Sequence, residues 1–111
     1  MKIQRQDYDE VSVIDLQGEF VSDYIKPFQD TVSSALADGS AGIVLDLSSI
    51  TFIDSHCLEQ LLWLRDYCLE NQSQLKIAGL DETCAKILEI TRLDAEFDSY
   101  DEVSRAVKSF V

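Results

Sequence analysis

Apolar positions along the chain recur with two periods, and the change from one to the other marks out its elements. Val11-Ser-Val-Ile-Asp-Leu-Gln17 is rich in β-branched and apolar residues and stops at Gly18, which predicts a strand. Residues 2–7 can pair with it antiparallel across a short turn. Ile25, Phe28, Val32, Ala35 and Leu36 recur at helical spacing, with Gly39 as a stop. Pro27 belongs in a first turn, so this helix begins near Tyr24. Ile43-Val-Leu-Asp-Leu47 is nearly continuous in apolar residues, as a strand covered on both faces should be. Residues 56–70 predict a second helix, Leu75–Ala78 a short strand closed by Gly79, and residues 81–90 a third helix. Ala95-Glu-Phe97 predicts a last short strand. Val103, Ala106, Val107 and Phe110 mark a C-terminal helix.

Strands alternating with helices predict an α/β fold. Its sheet is mixed and mostly parallel, with an antiparallel N-terminal strand and about four α-helices packed on it. In such sheets functional groups gather beyond the carboxyl ends of the strands. Asp54 and Ser55 fall there, in a loop after strand 43–47. With about 100° per residue along the next helix, Cys57, Leu58, Leu61, Leu62, Leu64, Cys68 and Leu69 share the core sector. Arg65 lies within it and must snorkel or pair. Ser55, Glu59 and Trp63, at i, i+4 and i+8, share the other side with Asp66 and Glu70. A tryptophan on a polar face fits an interface anchor, although single exposed apolar residues are also ordinary.

Composition narrows the picture. The chain has 111 residues, enough for one domain with its own core, and 46% of them are hydrophobic, too many for disorder. No apolar run is long enough to span a bilayer, and Met1-Lys2-Ile3-Gln4-Arg5 does not resemble a signal peptide, so a cytoplasmic location without membrane insertion is expected. Acidic residues outnumber basic ones 21 to 9, a formal net charge of -12. Such a surface repels nucleic acid and anionic lipid and suits a protein partner with a basic face; a well-solvated acidic surface is the plainer account. The three cysteines, Cys57, Cys68 and Cys84, form no C-x-x-C pair and fit reduced, mostly buried thiols.

The stretch Phe52-Ile-Asp-Ser-His-Cys57 concentrates the candidate chemistry. Asp and Ser are preferred helix N-caps, because their oxygens accept the unpaired N–H groups of a first turn. No capping box accompanies them, since Cys57 or Leu58 stands where Glu or Gln would be. His56 and Cys57 are neighbours that diverge by about 100° on a helix, and Cys57 points to the core, so a nucleophilic pair is disfavoured. One histidine without paired cysteines does not make a zinc site, and no glycine-rich nucleotide motif is present. Asp7/Asp9, Asp81/Glu82 and Asp101/Glu102 lie in predicted turns and helix starts, where acids complement the helix dipole. Neither an enzyme nor a cofactor is expected.

Ile43-Val-Leu-Asp-Leu-Ser-Ser-Ile-Thr-Phe-Ile-Asp-Ser55, followed by Leu58, resembles the signature of STAS domains, the fold shared by anti-sigma factor antagonists and the tails of sulfate transporters. Leu16-Gln-Gly-Glu-Phe20, Leu88–Leu93, Phe97 and Glu102–Ala106 extend the resemblance over nearly the whole chain. In antagonists of this family the serine after that aspartate is phosphorylated by a partner anti-sigma factor, itself a serine kinase, and a phosphatase resets the cycle. The resemblance therefore implies Ser55 as phosphoacceptor on a partner-binding face that includes Asp54, His56, Glu59 and Trp63. Other members serve as constitutive accessory subunits, for instance on the ATPase of a lipid transporter, with Ser55 and Trp63 in a static interface. The chain departs from the pattern at Cys57, usually Gly, at His56, usually small, and at Val21, often Asp. His56 can pair with a phosphate on Ser55.

Overall fold

The computed structural model describes residues 1–110. In chain order the elements are β1 (Lys2–Tyr8), β2 (Val11–Phe20), a 3-10 turn (Ser22–Tyr24), α1 (Ile25–Ala37), β3 (Gly42–Ile53) and α2 (Ser55–Glu70). They continue with β4 (Gln74–Ala78), α3 (Glu82–Ile90), a second 3-10 turn (Asp94–Glu96), β5 (Asp98–Tyr100) and α4 (Val103–Lys108). The strands lie side by side in chain order, β1-β2-β3-β4-β5. β1 runs antiparallel to β2, and the remaining pairs are parallel.

The alternation within each strand explains which face meets which helix. Ile14, Leu16, Ile43, Leu45 and Ile77 belong to the main core with Phe28 of α1, Leu61 and Leu64 of α2, and Leu88 of α3. Val11, Val13, Val44 and Ala78 form a second, smaller core beneath Ala106 of α4. The unbroken apolar run at Ile43–Leu45 follows, since both faces of β3 are covered there. Gly42 permits the second cover, because a Cβ at that position would strike the Phe110 ring.

Several expectations need correction. β2 does not stop at Gly18; it continues to Phe20 with Gly18 at φ 102° and the register against β3 slipping on both sides of it. β3 continues from Leu47 to Ile53, so Asp54 and Ser55 are not in a loop: Asp54 is the single junction residue and Ser55 opens α2. The predicted strand at 95–97 is instead the end of a 3-10 turn, and the pairing segment is Asp98–Tyr100, beside Lys76–Ala78. Leu69, expected in the core, is 64% exposed. Arg65 pairs with Glu96 and Asp66, and Glu96 lies 31 residues away in sequence, a partner that helical projection alone does not reveal.

Candidate functional site

β3 and α2 meet at Asp54 without an intervening loop, so the start of α2 projects from the carboxyl end of the parallel strands. Asp54 is the N-cap: its Oδ1 accepts from the Cys57 amide at 2.8 Å, and its backbone oxygen accepts from the Leu58 amide at 3.0 Å. Its second carboxylate oxygen reaches another element. Asp54 Oδ2 accepts from the Ser22 amide at 3.1 Å and from Ser22 Oγ at 3.3 Å, and the Asp54 amide donates to Phe20 O at 3.1 Å. One side chain thus joins the β2–α1 junction to the start of α2. These bonds hold the Asp54 carboxyl below its usual pKa, with the Cys57 amide first among them.

Ser55 and His56 are exposed on the first turn of α2. Among the described residues no hydrogen bond engages the Ser55 hydroxyl, because Asp54 does the capping. His56 Nδ1 lies 3.4 Å from Ser22 Oγ. Cys57 turns inward and is fully buried. Burial pushes its thiol up to about 12, and the neighbouring Asp54 carboxylate adds to the effect. At neutral pH it is a protonated thiol facing the core, unsuited to attack.

Glu59 is exposed one turn along from Ser55. Trp63 does not share that exposure: it is half-buried, packs against the main core and stacks on Tyr67 with ring centroids 4.9 Å apart. Gln60, three residues before Trp63 on the same stripe, accepts from Gln29 of α1 at 2.6 Å. Asp54, Ser55, His56 and Glu59 therefore cluster at the start of α2, with Trp63 two turns along and packed against the core.

Two neighbours escape sequence reasoning. Ser22 comes from the β2–α1 junction, and only the tertiary fold brings it to Asp54. Phe52 falls in the predicted loop after residue 47; it lies instead in β3 and is 52% exposed beside this site. Its signal is the register slip: β3 gains a residue opposite Gly18/Glu19, which turns Phe52 outward and Ile53 inward. Among the described residues no group of three or more His, Cys, Asp or Glu could hold a metal ion.

Comparison with known proteins bears on the chain as a whole. A family model described as "Mlab, STAS domain" matches residues 3–99. The chain is similar to the crystal structure of an anti-sigma factor antagonist from Mycobacterium paratuberculosis, with a TM-score of 0.85 and 22% identity over 97% of this chain and 92% of that one. A putative anti-sigma factor antagonist from Thermotoga maritima gives 0.86 and 22% identity, covering 96% of this chain and 92% of that one. The phosphorylated form of the Bacillus cell fate determinant SpoIIAA gives 0.78 and 17% identity, covering 99% of this chain and 100% of that one. At these identities the likeness shows a shared fold.

Proposed function

The chain belongs to the STAS domain family, and from that premise we propose that it is a non-enzymatic regulatory module that binds an anti-sigma factor with serine-kinase activity. Phosphorylation of Ser55 switches the complex off, and a phosphatase restores it. The observation that carries this reading is the division of labour between two adjacent residues. Asp54 caps α2, while Ser55 beside it is exposed with a free hydroxyl.

A phosphate there adds about -1.5 to -2 charges at neutral pH. It would stand at a helix N-terminus, where the dipole tolerates an anion, so the fold survives. A partner packed on the same surface would meet a hydrated charge instead of a hydroxyl. Disrupting one desolvated contact costs about 2–5 kcal/mol, roughly 30- to several-thousand-fold in affinity.

The test pairs mass with binding. Incubation with the partner kinase and ATP should add one phosphate, mapped to Ser55 and absent from Ser55→Ala. Ser55→Asp should weaken partner binding at least about 30-fold, with the circular dichroism spectrum unchanged. A wild-type chain that never gains phosphate at Ser55 overturns the switch.

A second reading is favoured by the description of the matching family model as a Mlab STAS domain. In that reading the chain is an unphosphorylated accessory subunit of a transporter, holding an ATPase partner through the same surface. Ser55→Ala then binds like wild type, and Trp63→Ala loses the partner.

A further inference from the structure

The charge around Ser55 is lopsided. From Gly42 to Leu64 the sequence contains no Lys or Arg, and His56 is the only residue there able to carry a positive charge. The flanking elements supply mostly acid. Asp54 lies immediately before Ser55, Glu59 one turn after it, Glu19 near the end of β2 and Asp23 in the adjoining 3-10 turn. Lys26 of α1 is the nearest cation in sequence to that turn, and its ammonium is bonded to Asp30 of its own helix at 3.1 Å. A phosphoryl group on Ser55 would therefore meet the Asp54 carboxylate with only the N-terminus of α2 and His56 to offset it.

His56 is already engaged with the neighbouring element. Its Nδ1 lies 3.4 Å from Ser22 Oγ, and Ser22 Oγ and its amide also lie against Asp54 Oδ2 at 3.3 and 3.1 Å. The ring is exposed and one residue from Ser55, at the open end of α2. We infer that His56 is the counter-charge for phosphorylated Ser55, and that it leaves Ser22 to pair with the phosphate, carrying the mark from α2 to the β2–α1 junction. This deepens the Ser55 reading and rests on it.

The imidazole takes one proton from solvent and becomes a donor to the phosphate dianion. A phosphate dianion and an imidazolium in contact each favour the other's charged form. The consequence reaches beyond one side chain. Ser22 loses a partner when His56 swings away, and Ser22 opens the 3-10 turn Ser22–Tyr24 that leads into α1.

The experiment installs phosphoserine at position 55 during translation, so it needs no kinase. A kinase that ignores Ser55 would overturn the switch without touching this measurement, and the two failures are thereby distinguishable. The His56 ring is followed by NMR across pH 5–9 with and without the phosphate, and the phosphorus resonance is followed in parallel. The expected result is a His56 midpoint raised by about one unit, a tenfold change in its protonation equilibrium. A lowered phosphate midpoint should accompany it, together with displaced Ser22 and Asp23 amide signals. His56→Gln, checked for an unchanged circular dichroism spectrum, should raise the phosphate midpoint above that of the wild-type phosphoprotein, and its Ser22 and Asp23 signals should be the same with and without the phosphate. A His56 midpoint that does not move, a phosphate midpoint indifferent to His56→Gln, or Ser22 and Asp23 signals that ignore the phosphate each overturn the proposal.

Discussion

At the scale of single residues, Asp54 does two jobs with two oxygens. Oδ1 satisfies the Cys57 amide, and Oδ2 gathers the Ser22 amide and hydroxyl. Its pKa is depressed in the folded chain, so it contributes stability above its unfolded pKa, and that contribution is lost as pH falls through the folded value. Asp54→Asn keeps a capping oxygen but loses the charge. Its melting temperature should fall below wild type at neutral pH, and the gap should close on acidification to below the carboxylate range, as followed by thermal circular dichroism. A gap unchanged at low pH would mean that the charge contributes nothing. His56 and Ser55, adjacent in sequence, are separated by this arrangement into a side chain tethered toward Ser22 and a free hydroxyl.

At the scale of elements, α2 is held from three directions. Cys57, Leu61, Leu64 and Cys68 are buried against the sheet, Gln60 meets α1, and Arg65 meets the turn before β5. α4 is held more narrowly, on the opposite face, where Phe110 lies over Gly42 and the buried Lys76 ammonium. Lys76 Nζ sits 4.3 Å from the Phe110 ring centroid and donates to Ser109 Oγ at 2.6 Å. Gly42→Ala forces the ring away. It should cost about 1–3 kcal/mol, typical of overpacking, in urea denaturation, with hydrogen exchange accelerated in α4 ahead of α2. Equal acceleration in both helices would mean that α4 does not dock as a separate element.

At the scale of the molecule, two properties follow from what is buried and what is not. All three thiols lie inside, with pKa values raised by burial to about 12 for Cys57 and Cys68 and about 11 for Cys84. Ellman's reagent at pH 8 should leave them unmodified in the native protein and react with all three after unfolding. Rapid reaction of Cys57 in the native state would reopen a catalytic role. The formal charge of -12 predicts that association with a basic partner slows as salt rises, measurable as a falling on-rate with little change in off-rate. Hydrophobic period alone made the α/β class, the antiparallel first strand and the four helices legible, because burial of one face or two is written locally in Val11–Gln17, Ile25–Leu36 and Ile43–Leu47. The motif around Asp54-Ser55 likewise pointed to the start of α2. Contacts between distant segments were not legible. The Ser22–Asp54 bond, the Arg65–Glu96 pair, the outward turn of Phe52 at a register slip and the half-burial of Trp63 against the main core each depend on which element lies alongside. A local pattern records how much of a residue is hidden, whereas the identity of the group that hides it is decided only when the chain closes on itself.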